Sequence, residues 1–209
     1  MMNRFLIAFT LFCAILVGGA VELAAQTASS DLQNATVQSI LDRRSVRKYK
    51  PQAIPREVLD IVAKCAINAP SAVNAQPWQV RIVTNQDWLK QVGAEFKKTN
   101  QRAAEQADFV HPFFNSPAVI FIAAGKSATA QLDCGLLIQN ICLAAQSLGL
   151  GTVIMGHPIG FMKSEAVAPQ LAKLDFPEGF ELTMSIAIGY PDEAPDARPR
   201  DAAKLRFIE

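Results

Sequence analysis

Two polar islands carry the residue types that could do chemistry in this chain. They are Arg43-Arg44-Ser45-Val46-Arg47 and Pro70-Ser71-Ala72-Val73-Asn74-Ala75-Gln76-Pro77-Trp78. In the first, Arg43 and Arg47 stand four apart and converge on one side if a helix continues briefly through them. Guanidinium groups donate in a planar fork matched to phosphate oxygens, and Ser45 adds a hydroxyl, so the cluster suits a phosphate. The plain alternative for such a run is a solvated basic face. In the second island, Ser71, Asn74 and Gln76 supply both donors and acceptors, which suits the polar edge of a flat heterocycle. Its plain alternative is a helix-to-strand connection made of ordinary turn residues. A third patch, Arg198-Pro199-Arg200, reads alone as a surface loop. It joins the argument if the chain brings it back to the first arginines to share one phosphate. Together the islands point to a phosphorylated aromatic cofactor, with the chemistry on the cofactor rather than on a side chain.

Other chemistries find little support. There is no P-loop, HExxH, G-x-S-x-G or EF-hand loop. Gly149-x-Gly151 followed by Gly156 has the wrong spacing for a dinucleotide fingerprint, and a helix precedes it where that motif needs a strand. The two histidines, His111 and His157, do not make a metal site, and none is expected. His157 follows Gly156 and reads either as a proton relay or as a hydrogen-bonded structural histidine. Net charge is +1, which gives no electrostatic reason to expect nucleic acid.

These islands need elements to hold them. Arg4, the uncharged apolar run from Phe5 to Val17 and the small residues up to Ala25 have the pattern of a secretory leader, residues 1–25. Cleavage is expected after Ala25, or after Ala20. An uncleaved anchor is the alternative, although the apolar run is short for a span of about 20 residues. The expected location is therefore periplasmic or extracellular, or cytoplasmic if the leader reading fails. Residues 26–33 read as a disordered linker and 34–209 as one domain. Cys65, Cys134 and Cys142 remain, an odd number. Cys134 and Cys142 would lie about 12 Å apart along one helix, too far for a disulfide, so buried free thiols are expected.

A short helix over 36–44 is predicted to end near the arginines. Pro55 opens a second helix with an apolar stripe of Val58, Ile61, Val62 and Cys65. Strands are predicted at 78–83, 117–124, 152–155 and 180–188, with a short terminal strand at 205–208. Residues 86–107 and 163–174 read as helical, and 191–203 as a loop. Residues 128–148 form a helix apolar nearly all round, with Leu132, Leu136, Leu137, Ile138, Ile141, Leu143 and Leu148. Such a helix must be buried, and a second subunit covering one face is the simplest way; a central helix wrapped by its own chain is the alternative. A homodimer is predicted. Helices and strands alternate without a regular βαβ repeat, so the class is α+β.

The motifs Arg43-Arg44-Ser45-Val46-Arg47-Lys48-Tyr49, Ala69 to Trp78, and Gly149-Leu150-Gly151-Thr152 after a long apolar helix resemble the nitroreductase family, over residues 36–202. The resemblance implies a three-layer sandwich around a mixed, mainly antiparallel sheet, an intertwined homodimer, and FMN at the interface. It implies that Arg43, Arg44, Ser45 and Arg47 hold the phosphate and ribityl chain. Pro70, Ser71 and Ala72 would lie along the ring, with Asn74 and Gln76 reaching flavin or the partner subunit. Met155 and Gly156 would approach flavin N5 through backbone groups, and Arg198 and Arg200 would close over the phosphate. The implied activity is hydride transfer through flavin N5, from NAD(P)H or another reductant to a flat electron-poor acceptor such as a nitroaromatic or quinone. Alternatives are a non-catalytic flavin-binding or storage protein, or dehalogenation or dehydrogenation on the same scaffold. Phe113 and Phe114 are candidate pocket residues or core aromatics. An exported member would work away from nicotinamide nucleotides, so a different reductant, such as a membrane-linked carrier, is expected in that case.

Overall fold

The computed structural model describes residues 34–209. The leader at 1–25, its cleavage sites and the linker at 26–33 lie outside the described residues. The described chain forms two units, a helix ending at Asp42 and a body from Arg43 to Glu209. The helix, α1, is Ala35–Asp42. Asn34 caps it, its Oδ1 accepting from the N–H groups of Thr36 and Val37 at 2.9 and 3.3 Å, as a short polar side chain does at an N-cap.

The body is built on four antiparallel strands: β1 Trp78–Val83, β2 Ala118–Ala124, β3 Gly151–Met155 and β4 Glu181–Gly189, in the spatial order β1-β2-β4-β3. Ser45 adds a single parallel bridge to Thr152 on the outer side of β3. The sheet is therefore mixed and mainly antiparallel. β2 is apolar without interruption because both of its faces are covered. Ile120 and Ile122 face helix α2 (Arg56–Ile67) and helix α5 (Ala130–Ser147). Val119 and Phe121 face the opposite layer, α3 (Gln86–Thr99) with the short helices α6 (Ile159–Met162) and α7 (Ala168–Ala172). Helix α4, Gln101–Glu105, follows α3 across Asn100. The result is the three-layer sandwich, with a separate apolar core on each side of the sheet.

Several details depart from the sequence reading. The 86–107 helix is broken, because Asn100 leaves helical geometry and caps α4 through Oδ1. In α2 the buried stripe is Leu59, Val62 and Ala66, whereas Ile61 faces out. Residues 163–174 hold a 3-10 turn and only five α-helical residues, and the four-residue α6 was not foreseen. Residues 205–208 form no strand. They pair with no other strand among the described residues, and Leu205, Phe207 and Ile208 are exposed. In α5, Leu137, Ile138 and Ile141 are buried, but Leu132 is 67% exposed and Leu136 39%. Cys134 and Cys142 are buried free thiols and Cys65 is partly buried.

Candidate functional site

The arginine segment is extended, not helical. Ser45 bridges Thr152, the N–H of Val46 donates to the Thr152 carbonyl at 3.0 Å, and Tyr49 bridges Pro191. Arg43, Ser45 and Arg47 therefore share a face through the two-residue period of a strand rather than the four-residue spacing of a helix turn. Val46 points the other way and is buried against β3. There a Cβ on Gly151 would lie 2.8 Å from the Val46 side chain, so only glycine lets the two backbones approach this closely. The Glu193 carboxylate accepts from the backbone N–H groups of Arg47 and Lys48, fixing the outer end of the segment.

The chain after β4 returns past this segment. Arg43, Arg44, Ser45 and Arg47 line a cavity of about 120 Å³ with Asp196, Arg198 and Arg200. Five guanidinium groups face one carboxylate there, so the cavity attracts anions. Within the lining, Arg44 Nη1 donates to the Arg43 carbonyl, Arg47 Nη1 to the Ser45 carbonyl and Arg200 Nη1 to the Arg198 carbonyl. Backbone oxygen thereby helps to orient three of the five guanidinium groups.

Arg47 also lines a second pocket of about 560 Å³, within the size range of cofactor sites. Its walls include Tyr49, Asn100, Arg102, Phe114 and His157. The Arg47 guanidinium lies 6.0 Å from the Phe114 ring centre, and Phe114 meets His157 edge-on at 6.4 Å. Partial burial lowers the His157 pKa, which favours the neutral ring. Phe113 and Phe114 divide the two readings given for them. Phe113 is fully buried against Phe121, and Phe114 lines the pocket.

The loop behind Phe114 is tightly built. Asn115 Oδ1 accepts from the N–H groups of Val110 and His111, and its Nδ2 donates to the Asp108 carbonyl. Gly93 of α3 lets this loop pack close, since a Cβ there would fall 1.7 Å from the Val110 oxygen. His111 is 1% exposed, and its Nδ1 accepts from the Phe113 N–H. Burial pushes its pKa down to about 4, so it is a neutral structural group. Burial likewise raises the Tyr49 phenol far above its ordinary value, and its hydroxyl lies within bonding reach of the Val46 and Ala187 carbonyls. Sequence reasoning missed Asn100 and Arg102. They stand singly in a polar helical stretch, and no spacing marks them.

Met155 ends β3, and Gly156 follows it immediately before His157. Met155 is buried, its carbonyl accepting from Ser185 Oγ at 3.1 Å, while Gly156 is exposed. The amide loop lies elsewhere. None of Pro70, Ser71, Ala72, Asn74 or Gln76 lines either cavity. The register shows why. From the start of β1, Ser45 is four strand spacings across the sheet and seven β4 residues along it, a diagonal of about 30 Å. The loop is strained, with φ of 48° at Val73, 57° at Asn74 and 48° at Gln76, and Val73 is 98% exposed. A β-branched residue in that region is an outlier, and such strain collects at functional sites.

The antiparallel-centred sandwich carries at one edge a cationic cavity whose chemistry suits a phosphorylated or otherwise anionic ligand. The model of the nitroreductase family matches residues 40–190, and the chain belongs to that family. It is similar to the nitroreductase NfnB of Mycolicibacterium smegmatis, 41% identical over 206 residues, covering 78% of this chain and 86% of that one. It is also similar to an NAD(P)H-dependent FMN reductase of Bacillus subtilis, 27% identical over 188 residues, covering 80% and 70%. Among solved structures it superposes on an FMN-bound nitroreductase of Desulfitobacterium hafniense with a TM-score of 0.73, at 29% identity, covering 84% of this chain and 99% of that one.

Proposed function

We propose that this chain is an FMN-dependent oxidoreductase that passes two electrons, as hydride, from NAD(P)H or another reductant to a flat electron-poor acceptor such as a nitroaromatic or quinone. One observation carries the reading. Arginines from the two ends of the body, Arg43, Arg44 and Arg47 with Arg198 and Arg200, line one cavity, and Arg47 opens from it into a pocket of cofactor size. A ligand with a phosphate at one end and a ring at the other fits that pair of cavities. Ser45 and the five guanidinium groups would hold the phosphate and ribityl chain. Arg47 and Arg102 would set a positive field beside the ring, and Phe114 with His157 would wall it. The backbone of Met155 and Gly156 stands at the same end of β3 as His157. When bound, FMN supplies hydride chemistry at its N5. The protein supplies orientation and charge, and no side chain needs to act as nucleophile.

The amide loop enters this site from a second copy. A span of about 30 Å exceeds what one FMN can bridge from its own chain's cavity to its own chain's loop. The loop of one protomer can instead reach the ring held by its partner. The exposed Leu132 and Leu136 of α5 give the apolar face such a homodimer would bury.

The test is direct. The purified protein should be yellow, its colour should bleach with dithionite, and an added quinone should restore it. Tight flavin that no small acceptor reoxidises would make it a storage protein instead. Anaerobic reduction by NADH and NADPH in parallel identifies the donor. The leader-like residues 1–25 support export and a reductant other than a nicotinamide nucleotide. Finding the protein only in the cytosol on cell fractionation would end that part of the reading.

A further inference from the structure

We propose that Asp133 is the positioning residue that holds the amide loop in its ring-reading shape. This rests on the reading that the loop meets the flavin of a second copy. Asp133 stands in the first turn of α5 and is 2% exposed. Its Oδ1 accepts from the Ala72 N–H at 3.3 Å, and its Oδ2 accepts from Thr129 Oγ1 at 3.0 Å. Among the described residues it makes no ion pair. A carboxylate taken from water without a cation is costly unless hydrogen bonds replace the lost hydration, and the start of an 18-residue helix favours the charge.

The loop explains what the cost secures. The N–H of Gln76 donates to Ser71 Oγ, that of Asn74 to the Ser71 carbonyl and that of Ala75 to the Ala72 carbonyl. Those bonds close the loop on itself. Among the described residues, the Ala72–Asp133 bond is the one hydrogen bond tying residues 70–76 to a distant part of the chain. The strained residues Val73, Asn74 and Gln76 follow directly. Asp133 thus pins the near end of a strained segment to the first turn of α5, and the direction of the Ser71, Asn74 and Gln76 groups follows from that pin. Asp133 itself is buried and acts through Ala72.

The experiment measures FMN affinity, by flavin fluorescence, in full-length protein and in Asp133→Ala, Asp133→Asn and Thr129→Val. Exchange of the Ala72 amide and thermal stability are followed without flavin. Asp133→Ala should unprotect the Ala72 amide and weaken FMN binding about tenfold or more, the effect of losing one hydrogen bond to a charged acceptor. Asp133→Asn keeps an oxygen for Ala72 and should bind within about twofold of wild type. If Asp133→Ala lowers the melting temperature but binds FMN as wild type does, the residue is merely structural and the proposal fails. Should that variant not fold, Thr129→Val, which removes one of the two hydrogen bonds, decides. About threefold weaker binding supports the role, and unchanged binding overturns it. Wild-type protein that binds no FMN would defeat the functional reading, while Ala72 protection would still report on the anchor.

Discussion

The arginine corner and the amide corner sit at opposite ends of one sheet diagonal and are built by opposite means. The arginine corner is relaxed. Its segment is extended, paired to β3 at Ser45 and to the chain after β4 at Tyr49, and its charges converge through ordinary strand alternation. The amide corner is strained and lies outside both arginine-lined cavities, held by one buried carboxylate. A cavity that takes up a charged group can be finished within one chain. On the proposed reading, a loop that reads a ring held by another copy must project, and projection leaves it little neighbouring structure to hold its shape.

The sharpest way to break this contrast is Arg43→Ala with Arg200→Ala. Each guanidinium group removed takes away a charge-assisted hydrogen bond to phosphate worth about 1.5–3 kcal/mol. The pair should therefore weaken FMN binding by at least about a hundredfold in a fluorescence titration, with the circular dichroism spectrum kept. Unchanged affinity would remove the phosphate from the arginine corner altogether.

The next effect is acid. His111 is neutral in the fold with a pKa near 4, against about 6.5 when unfolded. The unfolded chain therefore binds the proton first. Stability is full above pH 6.5, falls as pH drops toward 4, and is lost by about 3 kcal/mol below that. His111 belongs to the pocket beside the arginines, so hydrogen exchange at acid pH should rise at 108–116 before it rises at 70–76. Equal loosening of both corners would show that they do not behave as separate regions.

Gly151→Ala should cost about 1–3 kcal/mol in urea unfolding by pushing Val46 off β3. Pairing it with Val46→Ala should recover part of the loss; no recovery would place the strain elsewhere. The smallest effect is at the other corner. Val73→Gly should stabilise the flavin-free protein by about 1 kcal/mol, because glycine takes the positive φ without steric cost. A loss of stability there would mean that the loop is not strained.

Much of the scaffold was readable in the chain. β1 alternates, β2 is unbroken in its apolar character, and α5 is apolar on most sides, each a direct imprint of which faces are covered. The polar islands were readable too, because guanidinium, hydroxyl and amide groups crowd into short stretches. Their relation in space was not. The arginines were expected to converge as a helix turn, and they do so as a strand, since the bridge to Thr152 comes from a residue more than a hundred positions away. The terminal strand failed because alternation at Leu205–Ile208 becomes a strand only when paired to an edge, and these residues pair with no edge among the described residues. Asn100 and Arg102 reach the larger pocket from the start of α4, where no motif announces them, whereas His157 was singled out by its place after Gly156.

The cationic cavity also dictates a timetable. Arg43, Arg44 and Arg47 leave the ribosome before any strand of the sheet, whereas Arg198 and Arg200 emerge only after all four. Synthesis proceeds from the N-terminus, so a nascent chain cannot grip a phosphate between both sets until the whole sheet has been made. A secretion channel that threads unfolded polypeptide would deliver this protein colourless, to be filled on the far side; one that carries finished proteins would deliver it already yellow.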